Sequence, residues 1–220
     1  MDWQNFSSEL EVGITSYCQA ECPLCDRTYR IHNLRLLHLN KKDFTDICTD
    51  LPNVIKTIRI CGDYGDPLMN PHLDEILDYL VFEKKLNFRI HTNGAIRKQE
   101  WFSDCAKYGD NCEFVFGIDG TTAEVNDIYR KKVDFDKAWN NMLACAKALP
   151  IGKVTWQFIV FPHNYHQIDD AKRLADKHNI SLSFTVNTRP PFEDHEEPWI
   201  LDQKKQKILV ENYNAWMEDF

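Results

Sequence analysis

No apolar run in this chain of 220 residues approaches the roughly 20 residues needed to cross a bilayer. The opening residues, MDWQNFSSELEV, hold no basic segment followed by an apolar core. No secretion signal is therefore read there, no membrane attachment is expected, and the expected location is cytoplasmic. Internal repeats, low-complexity tracts and Gly/Ser linkers are missing too. Positive charge is in deficit: a formal net charge of −8 argues against non-specific binding to nucleic acid or anionic membranes, though a local basic groove stays open. The eight cysteines form no disulfide pattern of a secreted scaffold. Cys48, Cys61, Cys105, Cys112 and Cys145 are scattered without a second pair at ligand spacing, and each reads as a small buried thiol.

What is present is an ordinary globular composition, 43% hydrophobic and 27% charged, with a length that suits one domain or one domain with a short appendage. Short runs rich in Ile, Val and Phe predict strands over 11–16, 54–61, 87–91, 113–118, 154–161 and 181–186. They are expected to be parallel and covered on both faces. Amphipathic stretches lie between them. Asn70 is expected as a helix N-cap with Pro71 at the first position, and Leu73, Ile76, Leu77, Leu80 and Val81 mark the buried face. Phe135, Ala138, Trp139, Met142, Ala146 and Leu149 mark a later helix, and Ile168, Ala171, Leu174 and Ala175 another. Strand and helix in alternation predict an α/β fold. A complete eight-stranded barrel takes about 250 residues, so the expectation is a partial (β/α)6 TIM-like barrel with a C-terminal helix over about 202–220. A surface loop is expected over 187–198, where Pro190, Pro191 and Pro198 fall.

The chemistry concentrates in Cys18-Gln-Ala-Glu-Cys22-Pro-Leu-Cys25, just past the first strand. A structural zinc takes four protein ligands, and an electron-transfer [4Fe–4S] cluster takes four cysteines. Three thiolates leave one metal position open for a small molecule. Further polar signals sit at the carboxyl ends of the later strands, where parallel α/β sheets collect their ligands. These are Gly62-Asp63-Tyr64-Gly65-Asp66-Pro67, Thr92-Asn93-Gly94, Asp119-Gly120 and Asn164.

The motifs CQAECPLC, GDYGDP, HTNG, GIDG and IYRKKVDFDKAWNNM, in this order over roughly residues 10–187, resemble the radical S-adenosylmethionine (radical SAM) enzymes. The similarity is greatest to the branch with peptide-maturing and molybdenum-cofactor-type members. The resemblance implies that Cys18, Cys22 and Cys25 hold three irons of a [4Fe–4S] cluster and that S-adenosylmethionine chelates the fourth. It also implies reductive cleavage to a 5′-deoxyadenosyl radical that abstracts hydrogen from a substrate. By position it assigns cofactor contacts to Gly65 and Asp66, to Thr92 and Asn93, to Asp119 and Arg130, and to Val160 and Asn164. Leu24 stands where relatives commonly carry an aromatic beside adenine, Gly117 where they carry serine, and Asp66 where they carry glutamate.

Two competing readings remain open at this point. In one, the cysteines recruit His32 or His38 and bind zinc as a structural module; in the other, a degenerate barrel binds S-adenosylmethionine without turnover. Under the resemblance, residues 1–200 form the core domain and 201–220 a helical tail, with a flavodoxin- or ferredoxin-like reductant as partner. Nothing after Cys145 is a cysteine, so auxiliary clusters are not expected. The substrate is unassigned, a peptide or a small metabolite. Cys61 and His91 lie near strand ends, and packing is the role expected of each.

Overall fold

The computed structural model describes residues 8–62, 64–187 and 204–205. Six parallel strands form one sheet in chain order: β1 (Glu9–Val12), β2 (Thr57–Ile60), β3 (Asn87–Thr92), β4 (Cys112–Gly117), β5 (Val154–Val160) and β6 (Ser181–Val186). Helical crossovers join them: α1 (Asp26–Arg30), α2 (Lys41–Ile47), α3 (Leu73–Asp78), α4 (Gln99–Asp104), α5 (Ala123–Tyr129), α6 (Phe135–Ala148) and α7 (Ile168–His178). Each strand pairs with its sequence neighbour, and among the described residues β1 and β6 do not pair with each other. The result is the expected α/β architecture, an open barrel of six βα units. No described helix is long and apolar enough to cross a membrane. The loop expected over 187–198 and the helix expected over 202–220 lie outside the described residues, apart from Asn187 and the helical pair Lys204 and Lys205.

Besides shifts of one to three residues at other strand ends, two boundaries differ from the sequence-based expectation. The first strand ends at Val12; Ile14, Thr15 and Ser16 instead meet residues 37–39 in a short antiparallel bridge, with Ser16 N donating to Leu37 O and Leu39 N to Ile14 O. Asn70 does not cap α3, whose N-cap is His72. Its amide nitrogen donates to Ile14 O at 2.8 Å and Leu39 O at 2.9 Å, and its Oδ1 accepts from His72 N at 2.8 Å. The side chain thus staples the end of β1 to the start of α3, and the 3₁₀ turn Pro67–Met69 takes up the intervening chain.

The two faces of the sheet differ in kind. Successive strand residues point to opposite faces. The helix-facing set includes Ile58, Ile60, Phe88, Ile90, Phe114, Phe116, Trp156 and Phe158, all fully buried. At about 25 cal/mol per Å2 of apolar area, this layer dominates the stability of the fold. The inner face is not apolar, contrary to expectation. Glu9, Glu11, Arg59, Arg89, Glu113 and Lys153 form an ionic floor at the amino ends of the strands. Arg59 bonds Glu9 and Glu11 at 3.3 and 2.5 Å, Arg89 bonds Glu9 and Glu113 at 2.8 Å each, and Lys153 approaches Glu113 at 3.4 Å. An open barrel admits water to its interior, which lets these charges stay solvated while they pair.

Candidate functional site

Above this floor, at the carboxyl ends of the strands, lies a cavity of about 360 Å3, within the range of small-molecule sites, ~300–1,000 Å3. Cys18, Cys22 and Cys25 form one side of it, and no disulfide joins any of the eight cysteines. The chain bends back on itself there, with Cys25 N donating to Cys22 O at 3.1 Å, and Cys25 is the N-cap of α1. Glu21 N donates to Lys131 O at 3.0 Å and Arg27 Nε to Ser16 O at 3.1 Å, so the loop is braced from both sides.

The surroundings of the sulfurs pull in two directions. Ala20 N donates to Cys18 Sγ at 3.4 Å and Asn93 Nδ2 approaches it at 3.8 Å. Arg27 and Arg130 line the cavity beside the cysteines. Burial pushes the Cys18 thiol up to about 12 and raises Cys22 also, against the pull of Arg130. A bound metal would supply the charge that keeps these thiols ionised. No three His, Cys, Asp or Glu side chains among the described residues converge closely enough to hold one ion. A cluster that offers a separate iron to each cysteine does not require that convergence, whereas a zinc site with ligands at ~2.3 Å does. His38, one of the expected fourth zinc ligands, instead lies 2.8 Å from Thr15 Oγ1 and stacks on Tyr17 at 4.3 Å.

The β2 turn packs directly beneath the cysteine loop. Asp66 N donates to Tyr17 O at 2.8 Å, and a Cβ on Gly65 would fall 2.3 Å from Thr15 O. Only glycine allows that approach. The Asp66 carboxylate is nearly sealed and accepts from Leu68 N, Thr92 Oγ1, Asn93 N and Asn93 Nδ2 at 2.6–3.0 Å. Its lone pairs are thereby occupied. Burial raises its pKa and these hydrogen bonds oppose the rise. Gly65, Asp66, Thr92 and Asn93 all line the cavity.

Arg130 reaches the cavity from the end of α5. Its Nε donates to Asp119 Oδ2 at 2.6 Å, and Asp119 Oδ1 accepts from Ile159 N at 2.7 Å. Burial works against the Arg130 charge, but Asp119 and Cys22 outweigh it and hold the guanidinium ionised. Gly117 makes this possible, because a Cβ there would lie 2.6 Å from Arg130 Nη2. The glycine that stands in place of serine is the space the guanidinium occupies.

Four expected cofactor contacts lie behind the cavity wall rather than on it. Asp119, Val160 and Asn164 are fully buried and Leu24 is nearly so; none lines the cavity. Leu24 packs in the core beneath the cysteines. Val160 projects from the helix side of β5, and Ile159, one position earlier, faces the cavity with Gln157. Asn164 locks its own loop: Nδ2 donates to Asp119 O and Ile159 O, and Oδ1 accepts from Phe161 N, all at 2.8–2.9 Å. Period-two counting along β5 would have found Gln157 and Ile159. Nothing in the sequence pointed to Arg27, whose place depends on how the cysteine loop folds back. Cys61 and His91, expected to be packing residues, both line the cavity.

Comparison with known proteins adds to this geometry. A family profile described as the Radical SAM superfamily matches residues 12–175. The mycofactocin maturase MftC of Mycobacterium ulcerans (strain Agy99) is 31% identical over 151 residues, covering 67% of this chain and 39% of the relative. The chain thus spans about two fifths of the length of the curated relatives it matches. Streptococcus suis SuiB, in a crystal structure bound to S-adenosylmethionine, superposes with a TM-score of 0.76 at 18% identity, over 97% of this chain and 48% of that one. The structure of anSMEcpe with bound AdoMet and the Cp18Cys peptide gives 0.71 at 17%, over 96% and 60%. At these identities the structural likeness is one of fold.

Proposed function

The chain belongs to the radical SAM superfamily of enzymes, and from that premise we propose that its cavity holds a [4Fe–4S] cluster and S-adenosylmethionine and acts on a peptide. When bound, the pair supplies an electron and a cleavable sulfonium, giving a 5′-deoxyadenosyl radical that abstracts hydrogen from substrate. The observation that carries this reading is the meeting, in one cavity, of three cysteines with a glycine-permitted carbonyl turn and a paired arginine.

The chain's own groups divide the work. Cys18, Cys22 and Cys25 would each take one iron, and the N–H groups of Ala20 and Asn93 that reach Cys18 favour its thiolate. Hydrogen bonds to sulfur of this kind help set a cluster's potential. Arg130 would receive the carboxylate of the cofactor's methionine moiety through guanidinium nitrogens not used on Asp119. Carbonyls of the Gly65 turn would face the ammonium. Asp66, with its lone pairs already engaged, acts there through its charge rather than by direct contact. Ile159 replaces Asn164 and Val160 as the β5 contribution to the cofactor's side of the wall. The curated relatives named as mycofactocin maturases and the peptide held by anSMEcpe favour a peptide over a small metabolite. A flavodoxin- or ferredoxin-like protein is the proposed electron donor.

Anaerobic reconstitution tests the proposal. Native protein is expected to take up iron and sulfide and to release 5′-deoxyadenosine with a strong reductant. Cys18→Ala, Cys22→Ala and Cys25→Ala should each retain the fold by circular dichroism and lose that release. Colourless protein carrying zinc would overturn the reading.

A further inference from the structure

Another part of the cavity wall is made by Cys61, His91, Val115, Gln157 and Thr185, none of which the cluster or the cofactor accounts for. We infer that this wall is the substrate chamber, that it takes an uncharged amide group, and that His91 positions it by donating a hydrogen bond from Nδ1–H to the amide oxygen. The inference rests on the reading above that the cavity is where reaction occurs, and it names the chemistry the substrate must bring.

The strand register builds the chamber. Ile60 pairs with Ile90, so the next residues, Cys61 and His91, continue side by side on the inner face. Arg59 pairs with Arg89 one layer below. The five wall residues carry no formal charge at neutral pH. The floor beneath offers none either: its three acidic residues, Glu9, Glu11 and Glu113, pair with its three basic ones, Arg59, Arg89 and Lys153. A phosphate or carboxylate held against this wall would shed its water without gaining an unengaged cation from wall or floor, since Arg27 and Arg130 stand beside the cysteines. A neutral polar group does not meet that cost.

The His91 ring stands above the same floor. Its Nε2 is sealed from solvent and has no hydrogen-bond partner among the described residues. Burial and the nearby Arg59 and Arg89 push the imidazole down to about 4, so the ring is neutral at pH 7. A sealed N–H without an acceptor costs more than a sealed lone pair, which puts the proton on Nδ1. The ring lines the cavity, and Nδ1 is not among the sealed, unpartnered atoms. A neutral N–H donor therefore faces the chamber. Across β4, Gln157 also lines the cavity; its Nε2 lies 3.5 Å from Thr185 Oγ1, and its Oε1 is the acceptor it can offer the chamber. A donor on β3 and an acceptor on β5 complement the C=O and N–H of one secondary amide.

The test uses the full chain labelled with 15N-histidine, with His91→Asn supplying the assignment and N-acetyl-triglycine amide, acetate and inorganic phosphate as probes. The expected His91 signals are a protonated Nδ1 and an unprotonated Nε2 at pH 7, still neutral at pH 5.5, and shifted by the capped peptide but not by the two anions. His91→Asn, which keeps a donor near the Nδ1 position, should bind the peptide within about threefold of native, while His91→Leu should lose about tenfold. An Nε2-protonated or cationic ring at pH 7, a larger shift with phosphate, or unchanged peptide binding by His91→Leu would each overturn the inference. The tautomer is read from native protein, so a variant that fails to fold does not remove the test. None of these readouts needs the cluster, so failure here is distinct from failure to take up iron or to cleave S-adenosylmethionine.

Discussion

Gly117 and Arg130 show how one missing side chain determines what another can do. The guanidinium lies where a Cβ at position 117 would be, 2.6 Å from Nη2, while Asp119 holds its Nε at 2.6 Å. Gly117→Ser is expected to push the guanidinium off Asp119 and to weaken S-adenosylmethionine binding about tenfold, equivalent to ~1.4 kcal/mol. Isothermal titration of the reconstituted protein measures this. In an Arg130→Ala background the same substitution should add little, because its effect travels through the arginine. A serine with unchanged affinity, or an effect that persists without Arg130, would show that the glycine acts in some other way. Read from sequence alone, Gly117 registers as a lost hydroxyl; its role as a space appears only when Arg130 is in place.

Helices and strands carry the next set of consequences. Leu73, Ile76, Leu77, Leu80 and Val81 were legible as one face because a helix repeats every 3.6 residues, and all are buried. The start of α3 was not legible, because Asn70 spends its side chain on carbonyls of Ile14 and Leu39, which are distant in sequence. The end of α7 follows local rules. Asn179 adopts a left-handed conformation at φ 53° and closes the helix with its N–H on the carbonyls of Ala175 and Asp176. Asn179→Ala should cost about 1 kcal/mol, because alanine pays the steric penalty of that region, whereas Asn179→Gly should be neutral or slightly stabilising. Urea denaturation with an unchanged slope would measure both. An alanine variant as stable as native would mean that the terminus rearranges.

The whole molecule should respond to acid through its buried histidines. His91 and His163 are pushed down to about 4, in each case first by burial, then by Arg59 and Arg89 for His91 and by His166 and Lys131 for His163. Below about pH 6.5 the unfolded chain protonates histidines that the folded chain keeps neutral, so their contribution lowers stability as pH drops from 6.5 towards 4; Asp66 and Asp119, raised by burial, work in the opposite direction. Asp78 and Glu113 are held below the ordinary carboxylate range by Lys107 and Tyr108 and by Arg89 and Lys153, against the opposing effect of burial. Their contribution is lost at lower pH still, so the decline continues past 4. Tm followed by near-ultraviolet circular dichroism should fall across this window, and the double variant His91→Gln, His163→Gln should flatten the portion above pH 4. An equally steep slope in that variant would assign the acid sensitivity to other groups.

Local chemistry was enough to read a barrel of βα units with three cysteines at ligand spacing, because strand alternation, helical periodicity and ligand spacing are properties of short segments. Gly65, Asp66, Thr92 and Asn93 could be placed on the cavity for the same reason: each lies at a strand's carboxyl end or in the turn after it. Which face of β5 meets the cavity, what fills the space at Gly117, and whether His91 packs or presents its ring depend on groups that fold together from distant parts of the chain. A salt bridge from α5, an ionic floor drawn from four strands and a crossover loop settle those questions. Contacts of that kind have no period and leave no mark on the segments they join.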